Sequence, residues 1–280
     1  MSTTTSISDR AERNGRAWGA RARDWGENEL QQVPTYEAAI RAAGIGAGQT
    51  VLDVGCGTGV FLRAAADHGA AVCGLDASAA LLEIARERVP EADLCQGDLQ
   101  HLPYVDDSFD AVCGFNAFFF ADDMVAALRE AGRVARPGAP VVIQVWGRPE
   151  AFDLRHMKDV LARFTPPRPE RSGGEAAGRD SGRLDPTTLW RPGVLEGLAT
   201  EAGLAPDRVF DLQWAYEYAN EAELMRGMMS AGGFGAIVGA ESQDAARDAI
   251  VEALTVCRTP ECGYRLENEW HYLIARAAGS

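Results

Sequence analysis

The chain is 280 residues long and carries 27 basic side chains against 41 acidic ones, a formal net charge of -14, with 46% hydrophobic and 24% charged residues. That composition excludes wholesale disorder, and the length accommodates one large domain, or a domain with an appended lid, around a sizeable core. The acidic balance argues against a partner held by its phosphates, and no run approaches the roughly 20 apolar residues that cross a bilayer.

Taken in chain order, Met1-Ser-Thr-Thr-Thr-Ser-Ile-Ser8 lacks the basic start and apolar run of a secretory signal and reads as a disordered tip. Residues 9–44 read as helices containing Trp18, Trp25 and Tyr36. From Thr50 to Trp146 short apolar runs alternate with helical patterns. The runs at 50–54, 71–75, 92–95, 109–115 and 140–146 have strand length, and three are almost continuously apolar, as parallel strands buried on both faces are. Between them, Val60, Phe61, Ala64, Ala65 and His68 fall at helical spacing before Gly69. Ser78 caps a helix through Val89, and Asp122 or Asp123 caps another that ends before Pro137-Gly138. Residues 165–186, rich in Pro, Gly and Arg, read as a mobile surface loop. A helix at 192–202, a strand at 209–218, helical patterns at 221–232 and 241–257, and a closing strand at 264–275 complete the chain. Repeated strand–helix units of this length predict a doubly wound α/β sheet. The six cysteines show no CxxC pair and no ligand spacing with His, so they read as reduced, small apolar residues in a cytoplasmic protein, with no metal site.

The most informative segment is Val51-Leu-Asp-Val-Gly-Cys-Gly-Thr-Gly-Val60. A buried strand runs into glycines at alternate positions 55, 57 and 59, and a helix starts at once. Glycine there permits a sharp turn and close approach of a ligand, and the helix start offers free N–H groups. Two carboxylates end the next two strands. Asp76 lies about twenty residues beyond the glycines, where an acid accepts both hydroxyls of a ribose. Asp98, in Gly97-Asp98-Leu99, is placed to accept from an exocyclic amine, and Asp53 lies within the first strand itself.

Asp53-Val-Gly-Cys-Gly-Thr-Gly59, Gly74-Leu-Asp-Ala-Ser78, Gly97-Asp-Leu-Gln-His-Leu-Pro-Tyr104, Asp107-Ser-Phe-Asp110 and Arg129-Glu-Ala-Gly-Arg-Val-Ala-Arg-Pro-Gly138 resemble the motifs of class I S-adenosylmethionine-dependent methyltransferases, in the branch similar to ubiquinone/menaquinone-biosynthesis methyltransferases. The resemblance covers about residues 45–150 and fades beyond. It implies a Rossmann-like, mostly parallel seven-stranded sheet with helices on both faces, an N-terminal helical lid and a helical insertion. Residues 1–44 are then the lid and 45–280 the catalytic domain, with a cofactor half at 45–150 and an acceptor side carrying the loop 165–186 and a helical patch at 220–257. By the same resemblance Gly55 and Gly57 pass under the methionine part of S-adenosyl-L-methionine, and Asp53 orients that loop. Asp76, followed by Ala77, takes the ribose hydroxyls, Asp98 the adenine amine, the N–H of Leu99 a ring nitrogen, and Asn116 meets the methionine moiety. Trp18 or Trp25 would serve as lid aromatics.

The rival occupant of such a loop is a nicotinamide dinucleotide, whose G-x-G-x-x-G cradles a pyrophosphate. Here Val60 stands at the third glycine position, and Asp53 would repel a pyrophosphate. Short-chain reductases also need Tyr-x-x-x-Lys, yet the single lysine, Lys158, has Leu154 four residues before it. Candidate bases are His101 and His156, with His271, Glu130 and Tyr104 behind them; a base is needed only if the acceptor must lose a proton. The aromatic run with Phe118 and Phe119, and the downstream Met225 and Met229 with Met228 and Phe234, suggest an apolar or aromatic pocket. The expected partner is a small-molecule acceptor methylated at carbon or oxygen, with no nucleic acid and a possible homo-oligomer. The alternative is a cofactor-binding regulatory or interaction protein without transfer activity.

Overall fold

Seven strand segments bury their apolar runs in one sheet of order β3-β2-β1-β4-β5-β7-β6. They are β1 (Thr50–Val54), β2 (Ala71–Asp76), β3 (Asp93–Gln96), β4 (Ala111–Phe115), β5 (Pro140–Trp146), β6 (Ala205–Tyr218) and β7 (Tyr264–Arg276). The computed structural model describes residues 7–157, 160, 185–232 and 243–279. The first five strands are mutually parallel, and β7 runs antiparallel to both β5 and β6. The strand order reverses at β1, which pairs with β2 on one side and β4 on the other. A sheet that winds outward both ways from one strand leaves a crevice at the carboxyl ends of β1 and β4.

The helices are α1 (Asp9–Gly19), α2 (Ala22–Glu29), α3 (Val33–Ala43), α4 (Val60–Asp67), α5 (Ala79–Arg88), α6 (Met124–Val134), α7 (Val194–Glu201), α8 (Glu221–Ser230) and α9 (Gln243–Ala253). Their starts follow local chemistry. Ser8, Ser78, Asp123 and Asn220 each accept a hydrogen bond from the backbone N–H three residues on. Two apolar layers result. On one face Tyr36 and Ile40 of α3 and Phe61 and Leu62 of α4 pack with Tyr272 of β7. On the other, Leu128 and Val134 of α6 and Leu195 of α7 pack with Leu52, Val54 and Leu273. Burial of each such side chain contributes about 1.5–3 kcal/mol.

The expected elements appear with shifted edges. Helix α4 begins at Val60 rather than at 58, because Gly57 and Gly59 are left-handed and prolong the turn. His68 leaves the apolar stripe assigned to it: it ends α4 partly exposed, with Nε2 2.9 Å from Glu37. Strand β4 begins two residues late, since Phe109 forms only an isolated bridge to Ala135. The helical pattern at 241–257 is α9 followed by a 3-10 turn, Leu254–Cys257. The tip Met1–Ser6, residues 165–184 of the predicted loop, residues 233–242 of the helical patch, Lys158 and Phe234 lie outside the described residues. All six cysteines are free thiols. Among the described residues no helix is long and apolar enough to cross a membrane.

Candidate functional site

The turn after β1 is built from its backbone outward. Gly55 and Gly57 have φ of 82° and 53°, conformations that a side chain disfavours. A Cβ at Gly55 would lie 2.6 Å from that of Ala117, and one at Gly57 would lie 3.2 Å from both carboxylate oxygens of Glu29. The N–H groups of Gly55 and Cys56 donate to the Leu75 carbonyl at 2.7 and 3.0 Å, tying the loop to the end of β2. Asp76 fixes it further: Oδ2 accepts from the Gly57 N–H at 2.9 Å and Oδ1 from the Ser78 N–H at 2.8 Å.

Three acids meet around this turn. Asp53 is 2% exposed, and its Oδ1 is buried without a partner. Burial pushes its pKa well above the usual carboxylate range, and Glu29 and Asp76 push it further. Asp76 is also raised by burial, partly offset by the backbone N–H groups of Ser78, Gly57 and Ala77. Glu29 was not among the expected site residues. It stands on the last turn of α2, where its Oε2 accepts from the Thr58 N–H at 3.1 Å and the Thr58 hydroxyl at 2.5 Å. Burial raises Glu29 as well, against the lowering effect of Thr58 and Arg88. Arg88, from α5, donates to the Thr58 carbonyl at 2.7 Å, to the Thr58 hydroxyl oxygen, and to the Gly26 carbonyl at 3.0 Å. A helix far upstream is thereby clamped to the glycine turn. No local motif announces a buried Glu in an amphipathic helix; only the third dimension supplies its partners.

Across the crevice Asn116 holds φ of 50°, a left-handed conformation that Asn tolerates better than most residues. Its Nδ2 donates to Gln144 Oε1 at 3.3 Å, Gln144 Nε2 donates to the Tyr272 hydroxyl at 2.7 Å, and that hydroxyl donates to the Thr35 carbonyl at 3.1 Å. The relay leaves Asn116 Oδ1 buried and unpartnered. Asp98, 3% exposed, accepts from the Gln100 N–H at 3.0 Å and the Ser8 N–H at 3.3 Å. Helix α1 is pinned over the opening: Arg10 Nε donates to the Phe120 carbonyl at 2.6 Å and Arg10 also meets Asp122 at 3.4 Å.

A cavity of about 350 Å³ joins these groups. Asp53, Gly55, Gly57, Asp76, Ala77, Asp98, Leu99 and Asn116 all line it. Its other end is aromatic, with Trp18, Trp25, Phe119, Trp146, Tyr216 and Trp270 among the lining residues. Trp18 and Trp25 meet edge to face at 4.8 Å. Phe118 is instead sealed in the core, its ring against Gly114 of β4. Met225 and Met229 pack on the core cluster, and the α8 methionine that reaches the cavity is Met228. Neither His101, exposed and bridged to Asp98 through the backbone, nor His156, 3.9 Å from Asp153 in a separate shallow depression, lines the cavity. His271 pairs with Asp211 at 2.6 Å, Glu130 with Arg133, and Tyr104 packs edge to face on Phe109. No described lining residue is a histidine.

The chemistry of this donor set can be matched to a ligand. Two orphaned acceptor oxygens and a cluster of buried acids, with a half-buried arginine as the nearby cation, suit a cationic ligand rich in N–H and O–H donors. Left-handed glycines leave it room beside the backbone. A polyanion would meet repulsion there. Among the described residues no cluster of His, Cys, Asp and Glu can hold a metal ion.

Residues 52–143 match the family model described as a methyltransferase domain. The chain is 38% identical over 128 residues to the demethylmenaquinone methyltransferase of Tropheryma whipplei (strain Twist), an alignment covering 44% of this chain and 52% of that protein. It is 35% identical over 196 residues to an uncharacterized protein of Mycobacterium tuberculosis, covering 65% and 66% of the two chains. The chain thus spans about half the length of the first of these curated relatives. Its backbone superposes on a Bacillus halodurans protein, described only provisionally as a methyltransferase, with a TM-score of 0.57 at 19% identity over 87% of this chain and 99% of that one, a likeness of fold.

Proposed function

We propose that the chain is a class I S-adenosylmethionine-dependent methyltransferase and that it moves a methyl group to carbon or oxygen of a small, largely apolar or aromatic metabolite by in-line displacement. The observation that carries this reading is the single cavity running from the buried acids to the aromatic chamber. When bound, the cofactor supplies a methyl group already activated on a sulfonium.

Everything else falls to this chain's own residues. Asp76 receives the ribose hydroxyls, Asp98 the adenine amine, and the Leu99 N–H a ring nitrogen. The orphaned oxygens of Asp53 and Asn116 receive donors of the methionine part, while Gly55 and Gly57 leave it room. The aromatic end holds the acceptor and excludes water. Positioning of this kind supplies roughly 7 kcal/mol or more of the barrier reduction. With no histidine among the described lining residues, an acceptor that needs no strong base is favoured. In this arrangement residues 1–44 serve as a lid on 45–280, and the setting is cytoplasmic.

A panel of isoprenoid, polyketide and phenolic acceptors with methyl-labelled cofactor tests the proposal. Label should enter one class of small molecule. Exclusive labelling of protein or RNA would overturn the reading, and binding without transfer to any class would favour a regulatory, non-transferring protein.

A further inference from the structure

The shallow depression that holds His156 has no part in the proposed transfer. Two short turns frame it, the 3-10 turn Asp153–Met157 and the turn Leu254–Cys257, with Arg258 just beyond the second and Arg265 on β7. Its back wall is shared with the cavity. Leu154 and Leu266 line the cavity, whereas their chain neighbours Asp153, Arg155 and Arg265 line the depression. The two spaces therefore lie on opposite sides of one wall.

On a chain with a formal net charge of -14, three arginines converge on this depression. Two are matched by acids. Arg155 pairs with Asp153 at 3.2 Å and donates to the Glu150 carbonyl at 2.8 Å, while Arg265 pairs with Glu267 at 2.9 Å and with Glu217. The third is not. Arg258 Nε donates to the Tyr264 hydroxyl at 3.0 Å, and Cζ lies 5.4 Å from the centroid of that buried ring, so Tyr264 fixes the guanidinium along one edge. Its two terminal nitrogens meet no acceptor among the described residues, and Glu221, whose charge bears on Arg258, is taken by Arg247 at 2.8 Å. A planar fork anchored on one edge, with its end-on pair open, is set for two parallel hydrogen bonds to a carboxylate.

The same depression also offers apolar surface. Val256, 71% exposed, and Pro260 both line it. A bare carboxylate leaves that surface wet, and an attached hydrocarbon tail covers it.

We propose that this depression binds a small carboxylate with an apolar tail, its head on the Arg258 fork and its tail against Val256 and Pro260. One unmatched cation suits a single negative charge. A polyanion would meet Asp153, Glu217 and Glu267, the acids that hold the other two arginines.

Calorimetry on the full chain, without cofactor and at low ionic strength, tests the site with hexanoate as the probe. Hexanoate should bind at least about fivefold more tightly than acetate, which lacks the tail, or 1-hexanol, which lacks the charge. Arg258→Gln should weaken hexanoate at least about fivefold, and Val256→Asp should do the same through repulsion. Phe119→Ala, in the cavity across the wall, should leave it within about twofold. The proposal is overturned if the parent does not bind hexanoate, if acetate or 1-hexanol equals it, or if either folded depression variant leaves binding intact. A loss in Phe119→Ala matching that in Arg258→Gln would place hexanoate in the cavity and overturn it too. Should Arg258→Gln unfold, as a thermal melt reads, Val256→Asp decides alone. Because no cofactor is present, the outcome is independent of the methyl-transfer reading.

Discussion

The two ends of one cavity are built by different means. At the glycine-loop end, backbone N–H groups, short acids and left-handed glycines define the shape, and all but Glu29 come from strand ends close together in sequence. At the aromatic end, large rings from α1, α2, β5, β6 and β7 define it, drawn from positions as distant as Trp18 and Trp270. The first is a site of fixed hydrogen-bond directions. The second is a site of shape and volume, and it should tolerate change differently.

Volume gives the largest expected effect. Trp270→Ala opens a hole in fully buried packing and should cost about 3–5 kcal/mol of stability, read by thermal or denaturant unfolding. At the other end Gly55→Ala strains the backbone at φ 82° and crowds Ala117, for a loss of about 1–3 kcal/mol. A smaller loss for the tryptophan than for the glycine would break the contrast between the two ends. Asp76→Ala should weaken S-adenosylmethionine binding by about 1.5–3 kcal/mol in calorimetry; unchanged affinity would dismiss Asp76 as a ribose ligand.

Proton linkage sharpens the comparison. Asp53, Asp76 and Glu29 are all raised by burial. Without ligand, their contribution to stability is full below the unfolded carboxylate range and is lost as pH rises through their elevated values. A cationic ligand favours the ionised forms, so binding should release protons and strengthen as pH rises across the same interval. Calorimetry in two buffers of different ionisation enthalpy reads the release, which Asp53→Asn should reduce. The smallest effect is expected at the rim: Arg10→Ala frees α1 from Phe120 and Asp122 and should cost about 0.5–1.5 kcal/mol, seen as faster proteolysis within residues 9–19.

The same division explains what the sequence made legible. The strand–glycine–helix turn, Asp76 and Asp98 are short-range patterns, because each functional group is placed by the strand that immediately precedes it. Glu29 was invisible because its burial depends on Thr58 and Arg88, which approach only after the sheet has formed. Phe118 and Phe119 are neighbours of identical type, and the 3-10 turn at Phe118–Phe120 sends one into the core and leaves the other on the cavity. Helical phase decides likewise among Met225, Met228 and Met229. Trp146 and Trp270 show no pattern at all, since their stacking is set by an antiparallel register between strands more than a hundred residues apart.

The clamp of Glu29 on Thr58 also has an order in time. During synthesis α2 emerges before any part of its seat. It packs not only on the glycine turn and α5 but also on α8, which begins at Glu221, roughly 190 residues later. At 5–20 residues per second, the helix waits about ten to forty seconds for its last partner. Until Thr58 and Arg88 have emerged Glu29 stays in water, and until Phe120 has emerged Trp18 lacks the ring it packs against. Helix α2 is therefore made long before α8 and completes its packing only once α8 has followed it.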